Sequence, residues 1–282
     1  MKKHLNQKVV RQTVQFFASA VVAVAVMGIG DLKAAPYADR NPNGSINVGN
    51  AGIFTVLTHG DFTGSDSSLV NGNVGVSGTG NFTLSNSATV NGDLYMNSSG
   101  TVAIKNSAKL NGQKKLNQNT LLNSAWADAI SLSNAAAAES VTPRYSSITN
   151  VDLSGSSNLT ITGNANEKVV LSLQNFQLTG SSSFTLQGTT TTTFIINVAK
   201  NFSLDTSASV NLVGVPTANV LFNVLGSKGK TQILDSSHLS GTLLALNRTV
   251  TATSSIAVTG RVIAQSVALS LSGKIVTPTG NQ

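Results

Sequence analysis

The sequence of 282 residues contains no cysteine. This absence excludes disulfide-stapled scaffolds, thiolate zinc sites, iron–sulfur clusters and cysteine nucleophiles. Charged residues are also scarce, at 10%, and aromatic residues make up only 5%. A chain so poor in charge is not a highly charged disordered polymer. Its 40% of apolar residues is enough to bury a sizeable core.

The positive charge of the chain lies mostly at its N-terminus. The formal net charge is +7, but residues 1–35 contain five basic residues and a single acidic one. Residues 36–282 hold thirteen basic and ten acidic residues, which leaves a net charge of +3. These lysines and arginines are scattered and are not interleaved with aromatic residues, so we expect no nucleic-acid partner.

The N-terminal segment has the three parts of a bacterial-type secretory signal. Basic residues precede an apolar run from Phe16 to Gly30, and small residues follow it at Ala34 and Ala35. An uncleaved membrane anchor is the alternative, but the run is shorter than the ~20 apolar residues that span a bilayer. We predict a signal peptide at 1–35 with cleavage between positions 25 and 35. The product would be secreted or held at the cell surface, without stable membrane insertion.

The strongest pattern after this segment is a repeat with a period of twenty. Three Asn-Gly pairs recur at that interval: Asn71 and Gly72, Asn91 and Gly92, Asn111 and Gly112. Asn and Gly accept the left-handed backbone of a tight turn, and Asn side chains stacked from coil to coil can form hydrogen-bonded ladders. Short strands joined by turns at a fixed period are typical of a solenoid.

We therefore predict a mainly β protein, a right-handed parallel β-helix with about 20 residues per coil. Alternation such as Phe82-Thr-Leu84 points apolar side chains inward. A β-sandwich is the alternative, but it gives no reason for equally spaced Asn-Gly pairs. Roughly eleven coils, with strands about 4.8 Å apart, predict a body roughly 50 Å long.

One segment departs from the repeat. Residues 114–140 lack Gly and Pro, are rich in Ala and Leu, and place Leu122, Trp126 and Ala129 on one stripe. We predict a single helix there, packed on the solenoid through Trp126; a Trp that stacks on a ligand is the alternative. The predicted boundaries are a signal at 1–35, a lead at 36–49, one β-helix domain at 50–276 that includes the helix, and a tail at 277–282.

Several motifs, taken in order, resemble known exported families. A stretch at residues 54–63 precedes the repeat and the helix, and Gly241-Thr-Leu-Leu-Ala245 and Gly260-Arg-Val-Ile-Ala264 follow them. This order resembles the bacterial choice-of-anchor A domains, also called collagen-binding-domain-like, and is similar to the ice-binding-like β-solenoid adhesins. The resemblance covers roughly residues 50–276. It implies a β-helix with one helix beside it and transfers no catalytic residue.

Residues suited to catalysis or metal binding are few. Beyond the predicted signal the only histidines are His59 and His238, and no Gly-x-Ser-x-Gly nucleophile motif accompanies them. The acidic residues are spread nearly singly. The closest pair, Asp61 and Asp66, could hold Ca²⁺, but calcium sites usually show more carboxylates. We therefore predict no catalytic residue, no metal site and no cofactor, and a protein that is not an enzyme.

The candidate surface-binding face is a run of threonines. In an extended strand, Thr189, Thr191 and Thr193 would line one side and present methyl and hydroxyl groups. Outward Thr is also simply a good strand residue. The main reading is a non-enzymatic extracellular adhesion or surface/matrix-binding module, whose partner is a cell surface, a matrix protein, a glycan or ice. The alternative is an ice-binding protein with a flat Ser/Thr/Asn face; a carbohydrate-active β-helix enzyme ranks third.

Overall fold

The structure, a computed structural model, describes residues 39–277. The predicted signal peptide at 1–35 and residues 278–282 of the predicted tail lie outside the described residues. The described part of the chain forms 23 strands, one α-helix and three short 3-10 helices. The strands stack in parallel register, which confirms the prediction of a mainly β, parallel β-helix with one α-helix.

Ten strands precede the helix: β1 (Val56–Thr58), β2 (Phe62–Gly64), β3 (Leu69–Asn71), β4 (Val74–Val76), β5 (Phe82–Leu84), β6 (Thr89–Val90), β7 (Leu94–Met96), β8 (Val102–Ile104), β9 (Lys109–Leu110) and β10 (Lys114–Lys115). The helix is α1 (Asn119–Ala138). Thirteen strands follow it: β11 (Asn150–Leu153), β12 (Asn158–Thr162), β13 (Lys168–Leu173), β14 (Asn175–Leu178), β15 (Ser183–Gln187), β16 (Thr193–Val198), β17 (Phe202–Leu204), β18 (Ser209–Val213), β19 (Val220–Val224), β20 (Thr231–Ile233), β21 (His238–Ala252), β22 (Ala257–Leu269) and β23 (Lys274–Val276). The 3-10 helices lie at Gly49–Ile53, Pro143–Tyr145 and Thr217–Asn219.

The strands form three faces, and β21 and β22 are long enough to contribute to all of them. Face 1 stacks in the order β13, β16, β19, β21, β22, β1, β4, β7, β10. Face 2 stacks in the order β11, β14, β17, β20, β21, β22, β2, β5, β8. Face 3 stacks in the order β12, β15, β18, β21, β22, β23, β3, β6, β9.

Each face therefore has nine levels in the described residues, fewer than the eleven coils predicted. The difference arises because the coil length is not constant. Coils before the helix keep the 20-residue period, as between Asn71 and Asn91. In the coils from β11 to β20, equivalent positions are 25, 26 and 29 residues apart, since both the strands and the connections between them are longer there. Nine levels about 4.8 Å apart give a stack roughly 38 Å long rather than 50 Å.

The coils do not stack in chain order. Strands β1 to β10 run from the middle of the stack to one end. The chain then passes along α1 and resumes at the opposite end with β11, from which it works back to the middle. As a result, β22 and β23, near the C-terminus, pair with β1, β2 and β3. We call this set of contacts the seam.

Helix α1 is shorter than predicted, because it begins at Asn119 instead of Lys114 and ends at Ala138 instead of Ser140. Lys114 and Lys115 continue the 20-residue repeat as β10 and pair with Leu94 and Tyr95. The helix buries a stripe of small and apolar side chains against face 1: Leu122, Ala125, Ala129, Leu132 and Ala136. It spans about 30 Å, which carries the chain along most of the stack.

Two buried asparagines hold the helix on face 1. Asn197 donates from Nδ2 to the Ala136 carbonyl at 2.7 Å. Asn223 donates to the Ser133 carbonyl at 3.0 Å and accepts from the Ser133 hydroxyl at 2.8 Å. Because Asn223 also bonds to Asn197 at 2.8 Å, the buried amides form one network with the helix. Buried polar groups of this kind favour one position of the helix over slid alternatives, since any shift would leave them unpaired.

The interior is filled by phenylalanine as well as by aliphatic residues. All eight phenylalanines of the described chain are buried: Phe54, Phe62, Phe82, Phe176, Phe184, Phe194, Phe202 and Phe222. Several stack from coil to coil, such as Phe62 on Phe82 with ring centroids 5.3 Å apart. Strands on faces 2 and 3 alternate buried and outward residues, as the Phe-x-Leu motifs predict.

The corners repeat from coil to coil. Asn91 donates to Asn71 at 2.6 Å and Asn111 donates to Asn91 at 2.7 Å, so their amides form a ladder. Gly92 stacks directly on Gly72, and a Cβ at Gly92 would lie 2.3 Å from the Gly72 carbonyl. The corner between faces 2 and 3 uses pairs of residues with φ between 47° and 67°: Asp66 and Ser67, Asn86 and Ser87, Asn106 and Ser107, Thr206 and Ser207, Asp235 and Ser236, Ser254 and Ser255, Leu271 and Ser272.

The predicted lead at 36–49 is not a separate segment where the structure describes it. Ile46 is buried, and its N–H donates to the Ala218 carbonyl at 2.8 Å. The carboxylate of Asp39 pairs with Lys168 at 3.2 Å. Residues from position 39 onward therefore belong to the solenoid unit.

Candidate surface-binding site

Only two of the three faces are open, because α1 covers face 1. Face 3 presents lysines and the asparagine ladder. One of its outward rows contains Lys274, Leu69, Thr89 and Lys109 in register. Charged and bulky side chains therefore interrupt this surface. Face 2 has the more uniform outward residues.

Five adjacent strands of face 2 form a row of threonine and alanine. In register across β21, β22, β2, β5 and β8, the central outward residues are Thr251, Ala268, Thr63, Thr83 and Ala103. We call these five residues the threonine row. Its members repeat at the spacing of neighbouring strands, about 4.8 Å. No charged side chain and no large side chain belongs to it.

A second row flanks the threonine row, two residues earlier along the chain at each level, and three of its members are hydrogen-bonded to one another. The carboxylate of Asp61 accepts from the Asn81 N–H at 2.7 Å and from its Nδ2 at 3.3 Å. The Asn81 Oδ1 in turn accepts from the Thr101 N–H at 3.2 Å and its hydroxyl at 2.6 Å. Thr249 and Ser266 complete this row on the neighbouring strands. Side chains fixed in this way present a regular polar border.

The interior side of these strands is packed tightly behind the two outward rows. Between the two outward rows, Val250, Val267, Phe62 and Phe82 point inward and are at most 1% exposed. Strands β2, β5 and β8 have equal lengths and pair without a bulge. Uniform strands in register place the outward side chains on one side of the sheet, because alternate Cβ atoms leave the pleat in the same direction.

The threonine row ends where the longer coils begin. Beyond β21 the equivalent outward residues are Gln232, Ser203, Gln177 and Asp152. The long amides of Gln232 and Gln177 and the carboxylate of Asp152 interrupt the small side chains there, so the uniform surface covers the five levels from β21 to β8.

The threonines singled out from the sequence lie elsewhere. Thr189 and Thr191 sit in the turn between β15 and β16, and Thr193 is the first residue of β16 and fully buried. The three therefore do not form one exposed strand face. Their hydroxyls form hydrogen bonds in and next to this turn instead. The Thr189 and Thr191 hydroxyls lie 3.2 Å apart, and the Thr193 hydroxyl donates to the Gly44 carbonyl at 2.5 Å.

The pattern that identifies the threonine row was present in the sequence. Thr63 and Thr83, like Asp61, Asn81 and Thr101, are separated by the same 20-residue interval as the Asn-Gly pairs. Thr251 and Ala268 carry no such signal, because only the seam brings β21 and β22 next to β2.

The residues considered for catalysis are not brought together. His59 stacks on Trp126, with ring centroids 5.0 Å apart, while His238 lies on face 3. Asp66 accepts from Asn86 at 2.9 Å, which lowers its pKa, and Asp61 belongs to the flanking row. Within residues 39–277 no three His, Asp or Glu side chains cluster as a metal site would require.

Trp126 is half-buried against face 1. It joins α1 to the solenoid as predicted. In the same described range, no helix is both long and apolar enough to cross a bilayer.

Comparison with known proteins identifies relatives of this fold. The chain matches the ice-binding-like adhesive domain family over residues 43–275. An ice-binding protein from the Antarctic ascomycete Antarctomyces psychrotrophicus has a TM-score of 0.55 at 20% identity, over 84% of this chain and 100% of that one. An ice-binding protein from an Arctic yeast has a TM-score of 0.54 at 19% identity, over 86% of this chain and 98% of that one. An ice-binding protein from an Antarctic biological consortium has a TM-score of 0.55 at 20% identity, over 82% of this chain and 90% of that one.

No curated protein sequence matches the chain. The family and these structures carry names of ice-binding or adhesive proteins, and none of the names describes an enzyme. Of the two resemblances drawn from the sequence, these comparisons support the ice-binding-like solenoids. The resemblance to choice-of-anchor A domains stays a prediction.

Proposed function

Because the chain belongs to the ice-binding-like adhesive domain family, we propose that it is an exported, non-enzymatic protein that binds ice through the threonine row of face 2. The observation that carries the proposal is this uncharged row on five adjacent strands. The sequence favours adhesion first and ice binding second. The threonine row and the similarity to solved structures of ice-binding proteins favour ice binding over adhesion.

The physical argument concerns how such a surface meets ordered water. Each outward Thr offers a methyl group, which restricts the orientation of neighbouring water molecules, and a hydroxyl that donates and accepts hydrogen bonds. A regular spacing of about 4.8 Å along the stack lets many weak contacts act at once, provided that the side chains do not move. The hydrogen-bonded flanking row and the packed phenylalanines beneath supply that rigidity.

Charge supports the same choice of face. A charged side chain holds its own hydration shell and would oppose a match with a crystalline water layer. The threonine row has none, whereas the outward row of face 3 contains Lys274 and Lys109. Asp61 in the flanking row is the exception, and its carboxylate is engaged by Asn81.

The test compares two substitutions in a single coil. Thr83 lies in the threonine row, and Thr89 lies on face 3 with the same intermediate exposure. We expect Thr83→Tyr to remove most of the thermal hysteresis and ice recrystallisation inhibition of the purified protein. The control Thr89→Tyr should retain both, and circular dichroism should show that both variants are folded.

Two results would contradict the proposal. One is a folded wild-type protein without thermal hysteresis or recrystallisation inhibition at high concentration. The other is loss of activity in Thr89→Tyr with activity retained in Thr83→Tyr, which would assign the ice-binding surface to face 3.

Adhesion remains the second candidate, favoured by the adhesive description of the family. It would use the same surfaces on an extracellular partner instead of ice. Binding of the purified protein to a cell surface, a matrix protein or a glycan, unaffected by Thr83→Tyr, would favour it.

A further inference from the structure

A cleft opens at the edge of face 2, beside the Thr251 end of the threonine row, and Thr249 and Thr251 contribute to its lining. It lies between the loop before β20 and the bend of β21, has a volume of about 400 Å³, and is lined by residues of segments 227–232 and 247–251. The register of β21 shifts between Ala245 and Thr249. Arg248 lies within this irregular stretch and lines the cleft. Thr231 also lines the cleft, but its side chain points into the core, in register with Phe202.

Arg248 is buried there without a carboxylate partner. It is only 4% exposed, and its guanidinium donates to four backbone carbonyls: Gly226 at 3.1 Å, Ala199 at 3.1 Å, Lys200 and Leu225. Burial lowers the pKa of Arg248, yet a guanidinium stays charged in proteins. The guanidinium has five N–H groups, and four of them donate to these carbonyls. One N–H is left over, and no carboxylate of the described chain offsets the positive charge of the guanidinium.

The charge around the cleft has one sign. Lys230 lines it, Lys228 and Lys200 stand in or next to the loop, and no Asp or Glu lines it. None of these three lysines forms an ion pair within the described chain. Gly229 closes the loop with φ of +104°, and a Cβ there would lie 3.0 Å from Arg248 Nη1. A larger residue at this position would press on the guanidinium.

We propose that this cleft binds an oxyanion, that is a sulfate, phosphate or carboxylate group, held by Arg248 and Lys230. An oxygen acceptor would satisfy the free N–H of Arg248, and the negative charge would offset the positive charge of the buried guanidinium. The group can belong to a free inorganic ion or to an acidic polysaccharide. The cleft adjoins the threonine row, because Thr251 lines it as well, but Arg248 and Lys230 belong to neither outward row, and the proposal does not depend on ice binding.

The first experiment titrates the protein with sodium sulfate at constant ionic strength, maintained with sodium chloride, and follows Tm and the heat of binding. A specific site gives a saturable rise in Tm, because a ligand that binds the folded state stabilises it. Lys230→Gln should weaken the apparent affinity about tenfold, whereas the control Lys109→Gln, on the terminal strand β9, should leave it unchanged.

A second arm identifies the source of the anion by using oligogalacturonate and a sulfated oligosaccharide. Binding that is tighter than that of free sulfate and is weakened by Lys230→Gln would assign an acidic polysaccharide. Binding of free sulfate alone would assign a small ion. A Tm that rises without saturation and equally in all variants, as general salt exclusion produces, would overturn the proposal.

Discussion

Val56 in β1 pairs in parallel register with Val262 in β22, although the two residues lie near opposite ends of the described chain. On its other side Val56 pairs with Val74 of the following coil. The seam thus joins the first strands of the solenoid to its last ones. Both halves of the stack depend on it, because each would otherwise end in unpaired strand edges and an exposed core.

The seam should be the most sensitive part of the core. Leu57 pairs with Ile263 and is fully buried beneath α1. We expect Leu57→Ala to lower the free energy of unfolding by about 2–5 kcal/mol, as cavities in packed cores do. The matched control is Leu110→Ala in the terminal strand β9, where the side chain is only half-buried. Urea unfolding measures both, and equal losses would contradict a central role for the seam.

Leu271 is the one apolar residue in the left-handed corner pairs, with φ of 49°. A Leu in this conformation costs about 1–2 kcal/mol, whereas Asn tolerates it. We expect Leu271→Asn to stabilise the protein by about 1 kcal/mol and to raise its Tm. Leu116 has the same exposure of 52% and lacks a positive φ, so Leu116→Asn should give no gain. A Tm that is unchanged or lower in Leu271→Asn would show that the corner does not strain Leu271.

One end of the stack should respond to acid. Arg144 forms a bidentate ion pair with Glu167. Its Nη1 donates to Oε1, and its Nη2 donates to Oε2 at 2.8 Å. This contact lowers the pKa of Glu167 below its ordinary 4.5. A carboxyl with a lowered pKa in the folded state adds stability above its ordinary pKa, and this stability is lost as the pH falls.

We therefore expect Glu167→Gln to destabilise the protein at pH 7 by at most about 1 kcal/mol, since the pair is partly exposed. The difference from the wild type should shrink as the pH drops below 4.5. Asp152→Asn, at the same end and without an ion pair in the described structure, is the control. Thermal unfolding at a series of pH values would contradict the assignment if the difference stayed constant.

The opposite end of the stack carries unpaired strand edges. Strands β8, β9 and β10 have a partner on one side only in the described residues, and exposed lysines stand on this coil. Lysine on an edge strand blocks association with a second edge.

Lys109 and Lys274 belong to one outward row of face 3, but only Lys109 is on the terminal strand. We expect Lys109→Thr to increase dimers or larger assemblies in light scattering, and Lys274→Thr to remain like the wild type. Association that rises equally in both variants would point to loss of net charge instead of edge exposure.

Local features of the fold could be predicted from the sequence. The Asn-Gly pairs at intervals of twenty predict the corners, and motifs such as Phe82-Thr-Leu84 predict which side chains point inward. These features depend on neighbours in one coil or in the next, where the backbone conformation of Asn and Gly and the alternation of a strand act directly. The presence of the helix could be predicted, but its first residue could not, because Lys114 and Lys115 form β10, the last strand before the helix.

The sequence by itself determined a low-charge solenoid with tight corners and one helix, since turn chemistry and alternation are properties of short segments. Only the tertiary structure decided the order of the coils, the seam between Val56 and Val262, and the threonine row that joins Thr251 to Thr63. Parallel strands pair through backbone groups that all residues share, so a single strand does not specify its partner. The partner is selected by the helix that returns the chain to the far end and by the core that forms when the two halves meet.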